Sequence, residues 1–411
     1  IFVGMKNLKA IILEMLCAVA IVSCTAVPEP FPDSRDRLPY DREITPGLGY
    51  QKVMILYSEG YNDLVSNLAL NINQFCQGDV PYFNERNVVL VYSHAAERRG
   101  DYTTETAPVL YRLYTHGDSV CKDTLATFDP KANTLTPGFM RSVMETIART
   151  FPSRHYGLVI SSHGNGWIPS DYSGENLDMS IAPSWIGAQY DGSYRNRKSL
   201  DISQLRDAIP FRLDYIAFDA CLMGGVEVAY ELKDLCDYIV ASPTEVISDG
   251  FNYTNMASRL LGDGDPDLQG LCEDYFNMCA NSDSYATIGL YDCSKMQDLA
   301  DVSRDIFEAH RDEVMLVNTW DVQSYNYSFS YNYDFRDYVR ALNASEEELQ
   351  ALDKVLAELV IYKNSTPYFI STPIDPDRFS GIGTYIPTSG RPTLNSCFRE
   401  TAWSEATGLL Q

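Results

Sequence analysis

Basic residues are scarce in this 411-residue sequence: 32 lysines and arginines stand against 56 aspartates and glutamates, for a net charge of −24. A field of that sign repels phosphate backbones, which excludes a nucleic-acid partner. Histidine is rarer still, with five, so few side chains could serve as a base near neutrality. The ten cysteines include no Cys-x-x-Cys and no compact spacing, and neither a structural zinc site nor a dense disulfide framework is expected. Cys272 and Cys279, about two helical turns apart, fit one face of a helix instead. No repeat of fixed period is visible, which sets solenoids aside.

What is present is core material. Hydrophobic residues make up 45%, aromatics 12% and charged residues only 21%, a balance that disordered chains do not have. The first 49 residues stand apart from that body. Met5-Lys6-Asn7-Leu8-Lys9 precedes an apolar run from Ala10 to Val22, broken by Glu14 and too short to span a bilayer comfortably. The ending Ile21-Val22-Ser23-Cys24 resembles a bacterial lipobox. Residues 1–23 therefore read as a lipoprotein signal with Cys24 as the lipidated first residue, and an ordinary signal peptide cut near Cys24 is the alternative. Residues 24–49, with Pro28, Pro30, Pro32, Pro39 and Pro46, suit a tether. The expected location is the bacterial cell envelope, exported and lipid-anchored, or else secreted.

Short β-rich runs apolar on both faces follow: Val53–Tyr57, Val88–Tyr92, Val109–Tyr114, Gly157–Ser161, Tyr215–Phe218 and Tyr238–Ala241. Helical patterns lie between them at 63–75, 137–150, 201–209 and 225–235, which implies βαβ units. The expected fold is α/β, a three-layer α/β/α sandwich with a mainly parallel central sheet, in a body spanning 50–390, with 391–411 as a tail. Helices are expected at 266–280, 294–317 and 345–363, and strands at 285–291 and 381–386. The alternating aromatics Tyr325, Tyr327, Phe329, Tyr331 and Tyr333 read either as packing between subregions or as a strand face that stacks on sugars or peptides.

Two strand ends carry reactive side chains. One apolar run ends in Ser161-Ser162-His163-Gly164-Asn165-Gly166-Trp167, and another in Phe218-Asp219-Ala220-Cys221-Leu222-Met223-Gly224-Gly225. In open α/β sheets ligands bind beyond the carboxyl ends of the strands, so neighbouring strands would aim both side chains into one crevice. A thiol attacks well only as thiolate, and a histidine within reach can take its proton and later deliver it to a leaving amine. The adjacent glycines let backbone N–H groups approach a developing oxyanion, with Gly164 and Cys221 as the expected donors. A lone buried cysteine is ordinarily a small core residue; the paired pattern favours chemistry. His94 and His116, also at strand ends, are the reserve candidates, whereas His155 and His310 lack such context.

These segments, with Tyr238-Ile239-Val240-Ala241-Ser242, resemble the clostripain family of cysteine peptidases, in the broad group of caspases, gingipains and legumain. The resemblance spans roughly 50–390. It implies a caspase-like fold, a His163/Cys221 dyad and cleavage after arginine or lysine at P1. A basic P1 side chain calls for a carboxylate, and Asp219 and Asp249 are the candidates, Asp219 equally readable as a buried orienting group. The stretch Pro243-Thr244-Glu245-Val246-Ile247-Ser248 departs from the Glu- and Gly-rich pattern of members with clear basic specificity. Self-cleavage is also implied, and Arg195, Arg197 and Lys198, ending the long polar connection 169–198, read equally as a processing site or a solvated turn.

No cofactor and no metal site is expected. Asp263, Asp265 and Asp267 resemble a calcium loop in composition only and better suit a helix cap, though calcium dependence stays open. The partners are peptide or protein substrates, with membrane contact only through the lipid. Two other functions fit the same residues: a catalytically idle surface lipoprotein that binds peptide or glycan, and a transpeptidase using the same dyad.

Overall fold

The computed structural model describes residues 50–99, 102–170, 172, 186–189, 198–325 and 331–410. The signal, the tether, Cys24, Arg195, Arg197, Tyr327 and Phe329 lie outside the described residues. In chain order the first elements are β1 (Val53–Gly60), α1 (Val65–Phe75), β2 (Val88–Arg99), β3 (Tyr102–Glu105), β4 (Val109–His116), β5 (Ser119–Thr127), α2 (Pro137–Thr150) and β6 (Tyr156–Ser161). A small ribbon, β7 (Ile186–Gln189) with β8 (Lys198–Leu200), precedes α3 (Ile202–Ala208), β9 (Leu213–Asp219), α4 (Val226–Leu232) and β10 (Cys236–Ala241). There follow α5 (Tyr253–Leu261), α6 (Leu268–Asn281), β11 (Thr287–Asp292), α7 (Met296–Ala309), β12 (Tyr333–Asp334), α8 (Phe335–Ala341) and α9 (Glu346–Leu359). The chain closes with β13 (Val360–Ser365), the hairpin β14 (Tyr368–Phe369) and β15 (Thr372–Pro373), then β16 (Gly383–Thr384), α10 (Pro392–Arg399) and α11 (Ala402–Thr407).

A ten-stranded sheet forms the middle layer, in the order β13-β11-β10-β9-β6-β1-β2-β4-β5, with β3 paired to β2. Its centre, β10-β9-β6-β1-β2, is parallel throughout. The outer strands on both sides run antiparallel. The expected α/β sandwich with a parallel heart is what forms. Strand β1 shows why: all eight of its residues are buried. Val53, Ile55 and Tyr57 join Met140 and Met144 of α2 on one face, while Met54 and Leu56 join Phe75 of α1 and Met256 of α5 on the other. A strand covered on both faces has no polar side to show.

Helix α2 starts where the sequence predicts, because Thr136 accepts from the Phe139 N–H at 3.2 Å and Pro137 occupies the first turn. Asp267 likewise caps α6, accepting from Gly270 N–H at 2.9 Å. Cys272 and Cys279 are both buried on α6, and no disulfide joins any of the eight described cysteines.

Several expectations are corrected. Val109–Tyr114 is not one of the parallel strands; β4 runs back along β2 and forms a hairpin with β5, whose alternation of half-buried and exposed residues hides it. Helix α5 lies in a stretch where no helix was expected, and the helix expected over 345–363 ends at Leu359, where β-branched Val360 and Ile361 start β13 as an edge strand. Among the described residues of the aromatic stretch, Tyr333–Asp334 is the strand that precedes α8. Tyr325 and Tyr333 are buried and Arg391 lies over the Tyr331 ring at 4.7 Å, which is packing. The tail is not a tail: Leu394, Phe398 and Trp403 of α10 and α11 are fully buried in the main core.

The C-terminal segment is tied to the start of α4. Gly383 N–H donates to Gly224 O at 2.8 Å, and Oε1 of Glu227 accepts from Thr384 Oγ1 at 2.9 Å and from Tyr385 N–H at 2.8 Å. Burial raises the Glu227 carboxyl from 4.5 to about 7, against the pull of those donors. A carboxyl raised on folding holds its proton longer in the folded chain than in the unfolded one, so its contribution to stability falls as pH rises from 4.5 to 7. Glu227→Gln keeps the accepting oxygen and removes the charge. Thermal unfolding should therefore show the variant more stable than the parent at pH 8, by on the order of 3 kcal/mol, and equal to it near pH 4.5; equal midpoints at pH 8 would contradict the assignment.

Candidate active site

Strands β6 and β9 are parallel neighbours, with Ser161 opposite Asp219. His163 and Cys221 therefore each lie two residues beyond the same rung, at the carboxyl edge of the sheet. The two exit loops are in contact. A Cβ added at Gly164 would sit 2.6 Å from the Cys221 carbonyl oxygen, and one at Gly166, whose φ is +65°, would meet the Leu222 carbonyl at 3.0 Å. Only glycine allows that approach. Leu222 itself holds a left-handed φ of 62°, strained for a branched side chain. The turn is pinned by Leu222 N–H to Thr244 O and Gly224 N–H to Ser242 O, both 2.8 Å.

Under the pair lies Asp219. Its Oδ2 accepts from Ser161 Oγ at 2.9 Å and from the Tyr253 hydroxyl of α5 at 2.5 Å, and the Phe251 N–H adds a third donor. Burial raises this carboxyl and the three donors pull it back. Gly250, at φ +66°, covers it so closely that a Cβ there would be 2.6 Å from Oδ2. Asp249, the other expected wall of a P1 pocket, is exposed at the edge of that turn.

The histidine and the thiol each have their own partner. His163 Nε2 meets Asp63 Oδ1 at 2.6 Å; Asp63, in the β1–α1 loop, was not anticipated from the sequence, where nothing marks that loop. Cys221 is half-buried, with Sγ accepting from Val246 N–H at 3.3 Å and its thiol 3.7 Å from Val246 O. Among the described residues no backbone carbonyl accepts from Gly164 N–H or Cys221 N–H.

The other expected residues separate from this cluster. His94 is buried against Glu59, Nδ1 to Oε1 2.6 Å, and stacked on Tyr61 at 5.2 Å. His116 ends β4, and because β4 runs antiparallel its end lies at the opposite edge of the sheet. His155 pairs with Asp214 and His310 with Glu348. Lys198 opens β8. No group of three or more metal-ligating side chains occurs among the described residues.

The clostripain-family profile matches residues 58–371, three quarters of the chain and both strand ends. The chain belongs to the clostripain family. Clostripain of Hathewaya histolytica is 25% identical over 233 residues, 52% of this chain and 43% of that protein, so the match spans less than half the length of that relative. An inactive zymogen C11 protease from Parabacteroides distasonis superposes with a TM-score of 0.73 at 25% identity, over 87% of this chain and 98% of the other. A secreted C11 cysteine protease from Bacteroides thetaiotaomicron, iotapain, gives 0.72 at 27% identity, over 88% and 99%.

The surroundings of the Cys221 thiol hold it in its protonated form. Burial is the main cause, with Glu245 and Asp219 adding negative charge and the Val246 N–H opposing them, and the thiol is pushed up to about 12. Alkylation of Cys221 by iodoacetamide, followed by mass spectrometry of its peptide, should keep accelerating well above pH 9. Glu245→Gln removes one of the anions and should speed alkylation at fixed pH by up to about tenfold; a slower reaction would contradict this electrostatic reading.

Proposed function

We propose that the chain is a cysteine endopeptidase in which His163 and Cys221 cleave peptide bonds through an acyl-enzyme. The observation that carries this is the shared rung: both side chains extend two residues past Ser161↔Asp219, on adjacent loops in contact at Gly164 and Cys221. His163 takes the thiol proton as Sγ attacks the carbonyl carbon. The Gly164 and Cys221 N–H groups face the resulting oxyanion, and His163 returns the proton to the leaving amine. Water then repeats the sequence and releases the acid.

The substrate preference we assign is arginine or lysine at P1, with Asp219 as the floor and Asp249 as the rim. The enclosed position of Asp219 means that a guanidinium reaches it only when the 246–250 turn opens; the same turn holds Sγ through Val246. The resting site is thus closed at the nucleophile and at the pocket together. Self-cleavage is assigned to the basic run Arg195, Arg197 and Lys198, which ends the long polar connection where β8 begins. Export with lipid attachment at Cys24 completes the reading. No helix among the described residues is long and apolar enough to cross a membrane, and the lipobox-like segment is what supports the anchor.

Peptides with Arg, Lys, Asp, Asn or an apolar residue at P1 test the assignment beside Cys221→Ala. Turnover should be confined to Arg and Lys and abolished in Cys221→Ala. Asp219→Asn should lose selectivity for them by roughly tenfold or more. No turnover of any peptide, with no labelling of Cys221 by a thiol-reactive peptide analogue, sinks the peptidase assignment. A chain break near Arg195 that persists in Cys221→Ala removes self-processing.

A further inference from the structure

The strand order reverses at β1: β2 lies on one side of it and β6, next in the parallel set, on the other. The loops leaving β1 and β6 therefore diverge around the crevice, and Asp63 and His163 face each other across it. Two neighbours fix their separation. Asn62 Nδ2 donates to the Glu59 carbonyl oxygen at 3.3 Å, and Ser162 Oγ donates to that same oxygen at 2.7 Å. Asn62 and Ser162 are buried, and each immediately precedes a member of the pair. Asn62 Oδ1 also accepts from Leu64 N–H at 2.9 Å, so Asp63 is held from both sides. The carboxylate is thus presented to the ring by buried backbone anchoring, although its own side chain is 78% exposed. Such exposure screens its charge and leaves orientation as the main effect.

We propose that Asp63 is a positioning residue for the proton transfer: by accepting Nε2–H of His163 it selects one tautomer and leaves Nδ1 as the ring atom that receives the Cys221 proton. An ionised carboxylate is an acceptor only, so the nitrogen at 2.6 Å from Asp63 Oδ1 is the donor. In the neutral ring the remaining lone pair is then on Nδ1. When Sγ–H transfers its proton there, the imidazolium keeps its Nε2–H on Asp63, and the ring does not turn before Nδ1–H passes to the leaving amine. Without Asp63 the ring populates both tautomers and rotates, and only a fraction of molecules holds the productive form. The division of labour follows the logic of triads in general, in which a carboxylate orients the base without taking its proton.

This inference rests on the His163/Cys221 reading, and the experiment separates the two. In the full chain carrying Cys221→Ala, 15N chemical shifts of His163 should show Nε2 protonated, and adding Asp63→Ala should give a mixture of tautomers. In the Cys221 parent, Asp63→Ala should lower kcat by about tenfold to a hundredfold with KM little changed, and Asp63→Glu should recover most of the loss. An unchanged kcat in Asp63→Ala, or a His163 tautomer indifferent to Asp63, overturns the proposal while leaving the dyad intact. Full activity of His163→Ala overturns the dyad, and the role of Asp63 with it.

Discussion

The rung that joins β6 to β9 carries the candidate site. Ser161 and Asp219 are register partners and also hydrogen-bonded through their side chains, and Tyr253 reaches across from α5 to close the cluster. A strand slipped by one residue would turn every side chain on it to the other face, and His163 and Cys221 would no longer leave the sheet in step. A buried carboxylate would be costly alone; three donors make it tolerable and make its position unique. The polar cluster is therefore both the floor of the site and the key that sets the alignment of its two loops.

Above that floor, one short segment packs on both Cys221 and Asp219. Residues 246–250 contribute the backbone groups around the Cys221 sulfur and the glycine that covers Asp219. A thiol enclosed in this way is protonated and slow to react, and its neighbours Glu245 and Asp219 reinforce that state. The Cys221 sulfur and the Asp219 carboxyl are thus enclosed by the same few residues. The helix that follows Cys221 is in turn bound to the C-terminal segment through Gly224 and Glu227, which ties the Cys221 turn to parts of the chain more than 150 residues away in sequence.

Much of this was legible in the order of residues. Runs such as Val53–Tyr57 and Tyr215–Phe218 have no polar face because both sides are covered, and they announced parallel strands. The same cue misled at Val109–Tyr114, where an equally buried strand runs antiparallel, since burial reports coverage and not direction. Strand β13 was hidden behind a helix whose capping box at Ser345 and Glu348 marks the start of α9 but says nothing about its end. Trp403 was hidden by position alone: a chain terminus reads as a tail until it is seen buried.

By itself the sequence determined which chemistry was on offer. A histidine followed by glycine, and a cysteine three residues before a Gly-Gly pair, each just beyond an apolar strand, lie at the carboxyl ends because a strand's direction follows from the chain. Tertiary structure decided their company. Asp63 joins His163 from a loop 100 residues earlier, Val246 holds the sulfur, and His116 is carried to the far edge by the reversal of β4. Such pairings depend on strand order and direction, and these arise from how whole layers bury their apolar faces, a property no local pattern of residues contains.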